Sequence, residues 1–168
     1  MKKIRILFVC TYHGGRSKIA ELFAHHHASD QVEAQSACFD PGTLGELPRG
    51  IMAEVGIELP AEGPASVFDL YKSGAPFDYV VTLCNQATTE QCPIFMTNVD
   101  VLYAKAAQVI PWSISDFQSL EGTPELRKKG ARLIRDKIHF EVLALIKNIG
   151  VMRKSGCTTA ATSVGTTI

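Results

Sequence analysis

Residues 4–20 read IRILFVCTYHGGRSKIA, and they carry the strongest structural signal in this chain. The apolar run at residues 4–9, interrupted only by Arg5, is typical of a strand buried on both faces in a parallel sheet. A glycine-containing loop follows, and the apolar spacing after Ser17 predicts a helix that extends to residue 27. A buried strand joined by a short loop to a helix is typical of an α/β domain.

The rest of the chain continues this alternation of strands and helices. Three further strands are predicted at residues 32–37, 77–83 and 107–110, which gives a central four-stranded parallel sheet. Further helices are predicted at residues 48–55, 66–71 and 124–149. The expected helix caps and stops are Ser66, Thr123, Gly56 and Gly150.

The domain organisation follows from the same pattern. Residues 1–150 are expected to form a single domain, because 168 residues suffice for one ordinary core and no linker interrupts the pattern. Residues 151–168 are rich in Ser, Thr, Gly and Ala and show no periodicity. They are expected to form a loose C-terminal tail.

The composition excludes several classes of protein. Hydrophobic residues make up 46% and charged residues 20%, which is globular and not disordered composition. Seventeen basic and 17 acidic residues give a formal net charge of zero, which argues against a nucleic-acid partner or a polybasic membrane contact. No apolar run is long enough for a membrane span or a signal peptide, so a cytoplasmic location is expected. Five cysteines in a reducing compartment are expected to be catalytic, redox-active or buried.

The loop from Cys10 to Ser17 predicts an oxyanion-binding cradle with a nucleophile. Backbone N–H groups between a strand and a helix start converge on one spot, and Arg16 adds a planar fork for two oxygens. The positive charge of Arg16 and the helix start are expected to lower the pKa of Cys10. The Ser17 hydroxyl is expected to donate a hydrogen bond to the Cys10 thiolate. The alternative is that Cys10 is a small buried residue at the end of a strand. The predicted oxyanion-binding residues are Thr11, Tyr12, His13, Gly14, Gly15, Arg16 and Ser17.

Cys84 and Cys92 form the second candidate feature. Cys84 follows a predicted strand, and it is therefore expected to lie at the same edge of the sheet as Cys10. One interpretation is a thiol relay, in which Cys84 attacks an adduct on Cys10 and Cys92 then attacks the resulting disulfide. The alternative is two unrelated cysteines.

Asp116 is the third candidate, because its loop follows the last predicted strand and reaches the same edge. A carboxylic acid there can protonate a leaving oxygen. The alternative is an ordinary loop or cap aspartate.

The run His25, His26 and His27 does not predict a metal site, since consecutive helix residues face different directions. Neither a metal nor another cofactor is expected.

Taken together, these residues resemble the thioredoxin-coupled arsenate reductases of the low-molecular-weight phosphatase fold. The resemblance covers residue 4 to about residue 149. It is carried by the loop up to Arg16-Ser17, by MAEVGI at residues 52–57, by VVTLC at residues 80–84 with Cys92-Pro93, and by residues 112–116. It implies a three-layer sandwich with helices on both faces of the sheet.

The resemblance also implies roles for the site residues. Cys10 would attack arsenic, Arg16 would clamp the oxyanion and Ser17 would support the thiolate. Asp116 would protonate the departing oxygen. Cys84 would displace arsenite, and Cys92 would then form a Cys84–Cys92 disulfide that is exposed for thioredoxin to reduce.

Several positions depart from the family loop. Tyr12, His13 and Gly15 replace its Gly, Asn and second Cys, and Phe117 replaces the Pro after the acid. The Asn is often left-handed, a conformation that His tolerates better than most residues do. Some family members bind potassium through this Asn and nearby oxygens, and Glu21 and Ser36 are the residues of this chain that match that site.

Two other functions fit the same residues. The first is a low-molecular-weight protein tyrosine phosphatase that forms a phosphoenzyme on Cys10 and does not need Cys84 or Cys92. The second is a sensor that binds an oxyanion without turnover.

Overall fold

The computed structural model describes residues 2–13, 15–85 and 92–156. A parallel sheet forms the centre, with strand order β3-β2-β1-β4-β5. The strands are β1 Ile4–His13, β2 Val32–Pro41, β3 Ala65–Ser66, β4 Tyr79–Leu83 and β5 Gln108–Trp112. The helices are α1 Gly15–Ala28, α2 Glu46–Ala53, α3 Val67–Lys72, α4 Cys92–Tyr103 and α5 Pro124–Gly156.

Two hydrophobic cores lie on the two faces of the sheet. Alternate residues of β1 divide between them: Ile6, Phe8 and Cys10 enter one core, and Leu7 and Val9 enter the other. Helices α1, α2 and α5 cover the first face, and α3 and α4 cover the second. The three-layer α/β architecture implied by the sequence is therefore confirmed.

The sheet contains one strand more than the four that the sequence predicts. The additional strand, β3, has two residues, Ala65 and Ser66, which pair with Ala37 and Cys38 of β2. A pair of residues has no hydrophobic period, so no pattern predicts it. Helix α4 was also not predicted, because the polar residues before it do not show a helix start.

Two expected helix caps and one expected helix stop are found, and one expected stop is not. The hydroxyl of Ser66 accepts a hydrogen bond from the N–H of Phe68, and Thr123 accepts one from the N–H of Leu126. Gly56 is left-handed, with φ of 75°, just beyond α2. Gly150 does not end α5, which continues to Gly156. The remainder of the predicted tail, residues 157–168, lies outside the described residues.

Helix α5 packs with a narrower face than the sequence suggests. Ile138 and Val142 are fully buried, but Leu126 and Leu133 are 59% and 65% exposed.

Within the described part of the chain, no helix combines the length and the apolar character needed to cross a membrane.

Candidate active site

Cys10 lies near the carboxyl end of the central strand. Its backbone is paired with Cys38 of β2 on one side and with Leu83 of β4 on the other. The thiol is fully buried, and its Sγ lies 3.2 Å from Oγ of Ser17 in the first turn of α1. The strand and the helix thus bring the predicted nucleophile and the predicted hydroxyl together.

Arg16 is the second buried group of the site, with only 1% of the residue exposed. Its Nη1 donates to the carbonyl oxygen of Ile114 at 3.0 Å, and its Nη2 donates to Oγ1 of Thr11 at 2.8 Å. Nη2 also lies 3.3 Å from Oδ2 of Asp116. A buried guanidinium needs such partners, and they hold its planar fork in one orientation.

Asp116 caps a short helix and also forms an ion pair with Arg16, while its expected role as a proton donor stays a prediction. One carboxylate oxygen, Oδ1, caps the short 3-10 helix Phe117–Ser119 by accepting from the N–H of Gln118 at 3.2 Å. The other oxygen forms the ion pair with Arg16. The cap therefore fixes the carboxylate beside the predicted oxyanion clamp, 100 residues away along the chain.

The pKa of Cys10 differs from the expectation. Burial raises the pKa of this thiol above its usual value and outweighs the opposing effects of the Arg16 charge and the Ser17 hydrogen bond. The Asp116 carboxylate raises it further. The expected lowering of this pKa is wrong for this conformation, because complete burial of the thiol outweighs the arginine charge. In agreement, the thiol donates to the carbonyl oxygen of Tyr12 at 3.8 Å.

A cavity of about 530 Å³ opens beside these groups. Of the predicted oxyanion-binding residues, Tyr12, His13, Gly15 and Arg16 line it, and Asp116 lines it as well. Gly14 lies outside the described residues. The sequence does not predict another part of the cavity wall, because turn residues give no chemical signal. This part is formed by residues just before α2 and in its first turn, and by a charged residue of α5. These lining residues are Leu44, Glu46, Leu47, Pro48 and Arg127.

His13 has the left-handed conformation that the family comparison suggested, with φ of 57°. Two glycines leave room for it. A Cβ on Gly42 would lie 2.6 Å from Nδ1 of His13, and one on Gly63 would lie 2.8 Å from its carbonyl oxygen and 2.3 Å from that of Gly42. A side chain at position 42 would displace the His13 ring, and one at position 63 would meet the backbone at the end of β1.

Cys84 and Cys92 are joined by a disulfide, with their Cα atoms 5.9 Å apart. The pair lies in the core between the sheet and α4, on the opposite face from Cys10. Cys84 is 1% exposed and Cys92 is 4% exposed, so the expectation of an exposed disulfide is wrong for this conformation. The apolar residues of α4, including Phe95 and Val99, cover it.

Glu21 and Ser36, which match the potassium site of some family members, contact each other and a cation of the chain itself. Nζ of Lys18 lies 3.1 and 3.0 Å from the two carboxylate oxygens of Glu21, and the Ser36 hydroxyl donates to the same carboxylate. An ammonium group of the chain itself therefore balances this charge.

The histidine run does not converge on one point. Nε2 of His25 contacts the carbonyl oxygen of Ala34, whereas Nε2 of His27 lies 2.7 Å from Nε2 of His139 on α5. Within residues 2–13, 15–85 and 92–156, no group of three or more His, Cys, Asp or Glu side chains is arranged to hold a metal ion.

Comparisons with known proteins show what the chain as a whole is similar to. The family model described as low molecular weight phosphotyrosine protein phosphatase matches residues 5–150. An arsenate reductase of Shouchella clausii is 32% identical over 139 residues, which cover 82% of this chain and 91% of the relative.

Two solved structures show the same fold. A crystal structure of an arsenate reductase from Archaeoglobus fulgidus has a TM-score of 0.63 and 22% identity, covering 84% of this chain and 98% of its own. A thioredoxin-dependent arsenate reductase of Corynebacterium glutamicum has a TM-score of 0.59 and 24% identity, covering 89% of this chain and 63% of its own.

Proposed function

The chain belongs to the low molecular weight phosphotyrosine protein phosphatase family, and we propose that within it the protein is an arsenate reductase that works by a thiol relay. The observation that carries this proposal is the thiol pattern. The chain has a free thiol at Cys10 in the anion loop and a disulfide between Cys84 and Cys92. A phosphatase needs the first thiol, but it has no use for the other two.

The first step forms a bond between Cys10 and arsenic. The Cys10 thiolate attacks arsenate, and one arsenate oxygen leaves as water after taking a proton from Asp116. The Arg16 guanidinium holds two of the remaining oxygens, in exchange for its present ion pair with Asp116. Ser17 supports the thiolate through the 3.2 Å contact between Oγ and Sγ.

The second step moves two electrons to arsenic, and the third moves the resulting disulfide away from Cys10. The Cys84 thiolate attacks Sγ of Cys10, the bond between sulfur and arsenic breaks, and arsenic leaves with the electron pair as arsenite. The Cys92 thiolate then attacks Cys84 and releases the Cys10 thiolate. The product is a Cys84–Cys92 disulfide with a free Cys10, which is the combination found here.

A dithiol reductant of the thioredoxin class completes the cycle by reducing the Cys84–Cys92 disulfide. This partner is supported by the thioredoxin-dependent structural relative. A cytoplasmic location is part of the proposal, since that compartment keeps such dithiols reduced.

The test is arsenate-dependent oxidation of NADPH with thioredoxin and thioredoxin reductase. Sustained turnover is expected for the wild-type chain and for Cys157→Ser, the matched control outside the relay. Cys84→Ser and Cys92→Ser are expected to stop within one turnover. Hydrolysis of an aryl phosphate without arsenate turnover would contradict the proposal and assign the chain to the phosphatases.

A further inference from the structure

The proposed relay does not use Cys38, yet this residue is the closest neighbour of Cys10 across β1 and β2. The two cysteines are register partners in the parallel sheet, so their side chains project from the same face. Both are fully buried in the same hydrophobic core, and they are the free cysteines among the residues that the structure describes.

The spacing of the two backbones suits a disulfide. Adjacent strands lie about 4.8 Å apart. Disulfide-bonded cysteines usually have Cα atoms about 4.4–6.8 Å apart, so a bond requires side-chain rotation and a small local adjustment of the strands. By contrast, Cys84 is on the opposite face of the sheet and is already bonded to Cys92.

The environment of Cys38 keeps this thiol protonated until Cys10 is oxidised. Burial, with smaller contributions from Cys10 and Asp40, raises the pKa of Cys38 to about 12. Cys38 therefore keeps its proton beside a Cys10 thiolate and does not compete for the oxyanion. Once Cys10 is neutral, the Cys10 charge no longer opposes ionisation of Cys38.

We propose that Cys38 is the resolving thiol for an oxidised Cys10. Hydrogen peroxide converts the Cys10 thiolate to a sulfenic acid with release of hydroxide. The Cys38 thiol then attacks the sulfenic sulfur, a Cys10–Cys38 disulfide forms, and water leaves. A dithiol reverses the bond, so the nucleophile is protected from irreversible oxidation to the sulfinic acid.

This inference goes beyond the proposed function and needs only that Cys10 can be oxidised. The test uses the full chain in its Cys84–Cys92 disulfide form, treated with hydrogen peroxide and digested with trypsin without reduction. Trypsin places Cys10 in the peptide of residues 6–16 and Cys38 in that of residues 19–49. We expect these two peptides to be linked, and we expect dithiothreitol to restore both thiols.

In Cys38→Ser and Cys38→Val the same treatment is expected to give Cys10 sulfinic acid that dithiothreitol does not restore. The rate of Cys10 alkylation without peroxide checks that both variants keep the site intact. The Cys157→Ser variant is expected to behave as the wild-type chain does. Cys10 sulfinic acid with an unmodified Cys38 in the wild type, or a link from Cys10 to Cys157, would overturn the proposal.

Discussion

Cys10 lies on β1 and Cys84 directly follows the neighbouring strand β4, and their side chains enter opposite faces of the sheet. Cys10 pairs with Leu83, and the side chain of the next residue, Cys84, enters the other core. The Cys84 backbone is held in place by its N–H donating to Trp112 and by its carbonyl oxygen accepting from the N–H of Ile114. The proposed relay therefore requires that this segment move before Cys84 reaches Cys10.

The first prediction concerns that movement. In Cys92→Ser, arsenate is expected to produce a Cys10–Cys84 disulfide that persists, because the thiol that resolves it is gone. The hydrogen bond from Ile114 to Cys84 should then break, and the Ile114 amide should exchange its hydrogen faster than in the wild-type Cys84–Cys92 form. Peptide mapping and hydrogen exchange measure the two results. Unchanged exchange in the trapped form would contradict the required movement.

The second prediction concerns the pKa of the Cys10 thiol. Asp116→Asn should lower it, because the carboxylate that raises it and neutralises Arg16 is removed. Ser17→Ala should raise it, because the hydroxyl contact lowers it in the wild type. The midpoint of Cys10 alkylation against pH measures both shifts. The same midpoint in all three proteins would contradict this account of the site.

The third prediction concerns oxyanion binding. Arg16→Lys should weaken phosphate binding by about tenfold to a hundredfold, since a charge-assisted hydrogen bond contributes roughly 1.5–3 kcal/mol. A lysine keeps the charge but cannot contact Thr11, Ile114 and an anion with one planar group. Isothermal titration with phosphate measures the change. Lys129→Ala is a control on α5 outside the cavity lining, and its affinity should match that of the wild type.

The fourth prediction compares two glycines. Gly63→Ala should destabilise the fold by about 1–3 kcal/mol and lower activity, because its Cβ meets the backbone oxygens of Gly42 and His13. Gly50→Ala should stabilise the fold by about 0.5–1 kcal/mol, since Gly50 is within α2 and its Cβ would meet nothing within 4 Å. Urea unfolding measures both. Equal effects of the two substitutions would refute the crowding at His13.

The fifth prediction concerns the stability of the fold against pH. Burial and His27 lower the pKa of His139 below 6.5, with His26 and Arg135 acting in the same direction and Asp136 opposing them. The unfolded chain therefore binds more protons, so this contribution is complete above pH 6.5 and falls as the pH decreases through that value. In His139→Gln the loss of stability between pH 8 and pH 5 should be smaller, as measured by urea unfolding. A loss as large as in the wild type would contradict it.

The sequence predicted much of the site because its signals are local. Cys10 lies near the end of β1, and Arg16 and Ser17 lie in the first turn of α1, so their arrangement is determined within eight residues. Asp116 was predicted from its place after the last strand, and the structure adds the ion pair with Arg16. The α/β alternation depends on hydrophobic periods that neighbouring residues share.

The remaining features depend on contacts between distant segments. The cavity wall combines Leu47 of α2 with Arg127 of α5, and the sequence of neither helix alone predicts that the two residues line one cavity. The pKa of Cys10 depends on how deeply the folded chain buries its thiol, which the local sequence does not show. The register of Cys10 with Cys38 follows from the pairing of β1 and β2, and a shift of one residue would place them on opposite faces.

The two layers of helices have a consequence for the kinetics of the proposed enzyme. The oxyanion cavity involves the layer of α2 and α5, whereas the disulfide lies under α4 in the opposite layer. The oxidant and the reductant therefore approach from different sides and do not compete for one surface. High arsenate should therefore not act as a competitive inhibitor towards the reductant.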